Sequence, residues 1–182
     1  MTQIFERSRP KEYLIYLESL ANKFFKRYLA TNEIGYNELI FLPCSFTYSI
    51  DISLLDQGTS VEHFIFNYLD YLLWKGNKVK YSYFNFSFSN SVEHFYPQNP
   101  IEGHAKIGKE EILNSFGNLC LISVSKNAKL NNHPPKSKKE YYPNNEYDSI
   151  KQQIMMKQAD NWSIEQIKDH KSEMLKVLGL TK

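Results

Sequence analysis

Four side chains in the middle of the sequence have types and spacings that could do chemistry. Glu93 and His94 lie in Ser91-Val92-Glu93-His94-Phe95-Tyr96-Pro97-Gln98, and Asn118 and Asn127 lie in the stretch from Phe116 to Asn127. The reaction they suit is cleavage of a phosphodiester. It needs an activated water, charge neutralisation at the phosphate, and help for the departing oxygen. A neutral histidine takes a water's proton near pH 7. A hard divalent cation binds the phosphate and stabilises the departing oxyanion. Such a cation prefers oxygen ligands, and one carboxylate plus one amide oxygen suffices when phosphate and waters fill the other positions. Glu93 and Asn127 offer those oxygens, and His94 offers the base. Glu93 and His94 are adjacent in an extended segment and so point opposite ways unless the strand bends. The motif therefore asks for a distorted strand end.

The tetrapeptide Val-Glu-His-Phe occurs twice, at 61–64 and 92–95, and the pair serves as a control. The first copy falls in the first turn of a helix, where Thr59-Ser60-Val61-Glu62 reads as a capping box. There Val61 and Phe64 face a core and His63 is a partly exposed helix residue. The second copy follows a strand and precedes Pro97, which stops any helix. His94 then sits at a strand end beside a loop, where catalytic side chains are often carried.

The elements that hold this stretch read as follows. Tyr13, Leu14, Leu17, Leu20, Ala21, Phe24, Phe25 and Tyr28 recur at helical spacing, giving an amphipathic helix over about residues 10–30 with this stripe facing a core. Tyr36–Leu42 is a short helix or strand broken by Pro43, and Asp56-Gln57-Gly58 is a turn. A helix follows the capping box to about Trp74, closed by Gly76. Val79–Phe88, with Phe84, Phe86 and Phe88 at one parity, reads as a strand delivering the chain to Glu93. Lys109–Ser115 is a short helix, Leu119–Val124 a second strand, and Ser125 caps a helix carrying Asn127. Pro143-Asn144-Asn145 is a break, Tyr147–Ala159 a helix, and Ser163–Gln166 a capping box opening a last helix with Ile164, Ile167, Met174, Leu175 and Leu178 inward.

Composition bounds the setting. The 182 residues suit one domain with a real core, and 42% hydrophobic and 15% aromatic content is globular rather than disordered. A formal net charge of +2 is too small to announce nucleic-acid binding, so any basic surface is local, as in the lysine-rich run 126–142. Cys44 and Cys120 are far apart and outside any CxxC pair, which argues against a disulfide framework and a structural zinc site and for a cytoplasmic setting. No apolar run approaches a membrane span, and the amino terminus lacks a signal-peptide core.

Two segments together resemble the HNH (His-Me finger, ββα-metal) nucleases. Val92-Glu93-His94-Phe95-Tyr96-Pro97-Gln98 is similar to that family's first motif, an acidic residue and histidine followed by Pro-Gln. Gly117-Asn118-Leu119-Cys120-Leu121 with Asn127 is similar to its second half. The closer likeness is to the C-terminal HNH domain of GmrSD-type modification-dependent restriction endonucleases, whose pattern adds a downstream lysine and whose ending Trp162 and its helix resemble. The likeness covers about residues 90–140.

The resemblance implies His94 as general base, Glu93 and Asn127 as metal ligands, and Asn118 as the residue that holds the hairpin and orients the site. It implies Mg2+ as the ion, with Mn2+ also admissible. Lys138 or Lys139 would contact phosphate, and Lys126, Lys129 and Lys136 complete a candidate nucleic-acid surface. The substrate would be double-stranded DNA, modified or foreign, and the partner a nucleotide-dependent sensor domain or subunit. No phosphate-binding glycine loop appears in the chain itself. The expected fold is α+β, mostly helical, with a small ββα-metal core over 79–142, helical support over 1–78 and C-terminal helices over 143–182 in a single domain. Glu93, His94, Asn118 and Asn127 would converge on one pocket. The rival readings are a catalytically inactive nucleic-acid-binding module and a helical protein-interaction domain.

Overall fold

A computed structural model describes residues 10–32, 35–41, 49–87, 91–142 and 146–181. The chain divides into two compact units, Met1–Ile52 and Ser53–Lys182. Pro43, Cys44 and the break at Pro143 lie outside the described residues.

In the first unit Pro10 opens helix α1 (Pro10–Leu29), where its fixed φ suits the first turn. A second helix, α2 (Tyr36–Phe41), packs back on it. The ring of Tyr36 lies 5.9 Å from that of Phe24 and beneath the guanidinium of Arg27. The expected buried stripe is only half realised. Phe25 and Leu29 are buried, while Tyr13, Leu14 and Leu17 are 45%, 48% and 41% exposed. A six-residue helix spans about 9 Å and cannot cover a twenty-residue one, which spans about 30 Å.

The second unit is built around one antiparallel hairpin. Strand β1 (Ser91–His94) pairs with β2 (Leu119–Ile122) in the register Ser91↔Ile122 through His94↔Leu119. All four residues of β2 are buried. Helices surround it: α3 (His63–Gly76), α4 (Glu110–Leu113), α5 (Val124–Leu130), α6 (Pro135–Glu140), α7 (Ile150–Met156) and α8 (Ile164–Val177). The core under the hairpin joins Phe95, Ile122, Leu130, Met155, Trp162 and Ile167. This is the mostly helical α+β architecture with a small two-stranded sheet that the sequence implied.

Several local readings are corrected. Val79–Phe88 is not a strand: residues 77–83 form turns, 84–87 are irregular, and Phe88 lies outside the described residues. The alternating rings pack on one another instead of on a neighbouring strand, with Phe86 edge-on to Phe84 at 5.0 Å and to Trp74 at 6.0 Å. The capping box at Thr59 does not form. Gly58–Ser60 is a 3-10 turn, and α3 starts at His63 after Glu62, whose side chain caps nothing. Gly58 sits at φ +58 with its N–H on Asn114 O, which commits the segment to a turn. The N-cap of α5 is Ser123 rather than Ser125. The helix expected over 147–159 is shorter, because Ser149 accepts from Gln152 N at 3.1 Å and starts α7 at Ile150. At α8 Ser163 is the N-cap and accepts from Glu165 N, but the reciprocal capping box is not formed: the Gln166 side chain accepts from the Ser163 hydroxyl and not from its backbone N–H. Its face is buried at Ile167, Met174, Leu175 and Leu178, but Ile164 stays 36% exposed.

Candidate active site

The turn that enters β2 is the most tightly held part of the site. Phe116–Asn118 is a 3-10 turn whose first N–H donates to Asp56 Oδ1 at 2.9 Å. Gly117 lies so close to α8 that an added Cβ would stand 2.0 Å from Ile167 O, so only glycine fits. Asn118 is fully buried, and its amide makes every bond it can make. Nδ2 donates to Tyr96 O and Leu113 O, both at 3.0 Å. Oδ1 accepts from Tyr96 N at 2.8 Å and Trp162 Nε1 at 3.2 Å. Asn118 thus ties the chain just after His94 to the turn before β2 and to the C-terminal region. Buried and saturated, it positions the site and has no atom left for a substrate.

His94 closes β1. The register is unbroken through His94↔Leu119, and Phe95 N donates to Asn118 O at 2.8 Å. The distorted strand end asked for by the motif is therefore not found. Glu93 shares a face with Ser91, and His94 is buried with Val92 on the other. His94 Nε2 lies 2.9 Å from Asn114 Oδ1. Burial lowers the His94 pKa below its ordinary 6.5, the Asn114 bond and Glu93 pull it back up, and Lys138 pushes it down. The net shift favours the neutral ring, the state a general base needs.

Glu93, Asn127 and Lys138 meet the strand from its other face. Lys138 Nζ lies 2.5 Å from Glu93 Oε1 and donates to His94 O at 2.6 Å, with the lysine side chain 1% exposed. Asn127 Nδ2 donates to Ser91 Oγ at 2.6 Å. Ser91 is three residues before His94, or about 10 Å along a strand. No hydrogen bond among the described residues joins Glu93, His94, Asn118 and Asn127 to one another. Instead, the fold brings Glu93, Lys138 and the His94 backbone together, Asn127 to the start of β1, and Asn118 to the loop.

The Glu93 face carries oxygen donors of the type a hard divalent ion takes. The second carboxylate oxygen of Glu93 and the side-chain amide oxygen of Asn127, Oδ1, accept no hydrogen bond among the described residues. The Lys138 ammonium already stands as a cation against Glu93. Among the described residues no three His, Cys, Asp or Glu side chains converge, and Asn127 bonds Ser91 while Glu93 bonds Lys138, so an ion on these two oxygens would need non-protein ligands for most of its positions.

The five candidate surface lysines separate sharply. Lys129 and Lys136 are exposed. Lys126 pairs with Asp148 at 3.1 Å and Lys139 with Asp160 at 3.3 Å, both partly exposed. Lys138 is interior, where a phosphate does not reach.

Sequence reasoning missed three residues. Asn114 meets the histidine, and its only local sign is its place just after α4. Lys151 is fully buried, with Nζ donating to Phe116 O at 2.8 Å and to Leu119 O, which holds the same turn from below. Burial pushes its pKa down to about 7, with Cys120 and Asp70 opposing. Asp70 accepts from Lys151 N at 2.9 Å at the start of α7, and burial raises its pKa to about 7. Neither carried a signal, since charged residues inside helices read as solvated.

The geometry defines a class: a helix-wrapped hairpin with a buried histidine at a strand end and a fully bonded asparagine locking the return. The family model for GmrSD restriction endonucleases, C-terminal domain, matches residues 49–177. The chain belongs to that family, which makes it a restriction-endonuclease domain by descent and implies DNA as its substrate. No significant match was found among curated proteins or solved structures. Among the described residues no helix is long and apolar enough to cross a membrane.

Proposed function

We propose that the chain is a metal-dependent, HNH-type DNA endonuclease that restricts modified or foreign DNA in the cytoplasm. His94 is the general base. Glu93 and Asn127 hold Mg2+ or Mn2+, and a nucleotide-dependent sensor domain or subunit supplies target choice. The observation that carries the reading is the His94–Asn114 bond. With Nε2 engaged by an acceptor, the neutral ring keeps Nδ1 for a water's proton. That nitrogen has no partner among the described residues and is not one of their sealed polar atoms. Asn118 fixes the backbone after His94 so that the ring does not wander. The bound ion would supply charge neutralisation at the phosphate and at the leaving oxygen. Lys129 and Lys136 are free to meet the DNA backbone.

The test is nicking of supercoiled plasmid with Mg2+ or Mn2+, wild type against His94→Ala. Loss of nicking in the variant supports the reading, and equal nicking by both removes it. One observation favours a second reading, a binding module without turnover: the Lys138 ammonium sits where a cation would meet Glu93. Salt-sensitive DNA binding without cleavage by the wild type would select that reading.

A further inference from the structure

We propose that Asn114 is a positioning residue that fixes the tautomer and orientation of His94, and that Gly58 is the glycine that makes room for it. The inference rests on the proposed nuclease reading for its catalytic meaning, but its geometry stands apart from that reading. An amide oxygen only accepts, so the 2.9 Å contact with Asn114 Oδ1 requires a proton on His94 Nε2. The amide's own orientation is set from its other end, where Nδ2 donates to Glu110 Oε1 at 3.3 Å. Gln98 Nε2 reaches the same oxygen at 3.4 Å, so the Pro97-Gln98 step of the motif closes on Asn114 as well. The Asn114 backbone is pinned twice, by its N–H on Glu110 O at 2.8 Å and by Gly58 N on its carbonyl at 3.1 Å.

Gly58 supplies the steric half. It adopts φ +58, and a Cβ there would stand 2.6 Å from Asn114 Oδ1, the atom that receives the histidine. A side chain at position 58 would press on the acceptor itself, and the left-handed backbone would be strained as well. A histidine that serves as base needs its second nitrogen engaged, because that bond decides which nitrogen is left to act. Here the engagement comes from a side chain twenty residues downstream, steadied by a glycine before α3.

The experiment is long-range 1H–15N correlation on 15N-histidine-labelled full-length protein at mildly alkaline pH, where the ring is neutral, alongside plasmid cleavage. The wild type should show His94 as the Nε2-protonated tautomer. Asn114→Ala should give a tautomer mixture and a roughly 10- to 100-fold loss of kcat with little change in KM, the usual scale for a supporting partner. Asn114→Asp combined with Glu110→Gln, which keeps both the acceptor and a bond that orients it, should restore the tautomer and most of kcat. Gly58→Ala should disturb the tautomer with Asn114 intact. A wild-type His94 protonated on Nδ1, or Asn114→Ala with unchanged tautomer and kcat, overturns the inference. If the wild type cleaves no DNA, the nuclease reading fails while the NMR arm still decides the positioning claim.

Discussion

The most informative perturbation is Lys138→Met. Lys138 is 1% exposed, and its ammonium serves both the Glu93 carboxylate and the His94 carbonyl. Removing it leaves Glu93, itself only 12% exposed, as an uncompensated charge beside a carbonyl with a missing donor. Breaking one side of a buried pair costs about 3–5 kcal/mol. For a chain of 182 residues that is a drop in Tm of roughly 6–20 °C. Urea denaturation followed by tryptophan fluorescence reads the right unit, since Trp74 and Trp162 both lie within Ser53–Lys182. Adding Glu93→Gln should recover much of the loss, because the double variant buries no lone charge. The salt slope of DNA binding should not move, because an interior ammonium releases no counterion. A cost under about 1 kcal/mol, or a reduced salt slope, would refute the assignment of Lys138 to the interior pair and return it to the phosphate surface.

Three further outcomes are expected. Lys129→Ala and Lys136→Ala should each lower the slope of log K against log salt by about 0.9 if each meets one phosphate, measured by fluorescence anisotropy on duplex DNA. His170→Leu should stabilise the fold and flatten its acid sensitivity: both ring nitrogens lack hydrogen-bond partners among the described residues, and burial, then Lys151, holds the ring well below 6.5. The native state disfavours the charged ring, so its stability is intact above the unfolded value near 6.5. That stability falls as pH drops below it, by up to about 1.4 kcal/mol per pH unit in the wild type and not in the variant. Gly117→Ala should cost more than about 3 kcal/mol in urea melts, because its Cβ meets the Ile167 carbonyl at 2.0 Å and backbone cannot yield as a side chain does.

What the sequence disclosed follows from the range of the forces involved. Ser163 as the N-cap and the periodic face of α8 are written within one or two turns and were readable. The hairpin was readable in part: β2 is a continuous apolar run, and His94 falls at a strand end because Pro97 ends the options. Phe84 and Phe86 misled because period-two aromatics also suit a self-packed cluster after a helix. Thr59 misled because the positive φ of Gly58 depends on Asn114, more than fifty residues away. Asn114 and Lys151 were hidden, and Lys138 was assigned to the surface, for one reason. A polar residue becomes interior only when distant carbonyls or carboxylates receive it, and spacing along the chain does not encode that.

The supports of the Phe116–Asn118 turn have a consequence for how this unit is cut and inherited. Asp56 holds the turn from before α3, Lys151 from α7, and Trp162 with Ile167 from the C-terminal end. The sequence motif spans residues 91–127, yet its anchors span 56–167. It is therefore not a portable cassette. Excised alone, or grafted onto another scaffold, it would leave an amide, a glycine and two carbonyls without the surfaces that define them. Any exchange that preserves the site must carry these flanking helices with it, so the unit that travels between proteins is nearer the whole of Ser53–Lys182 than the short stretch that bears the histidine.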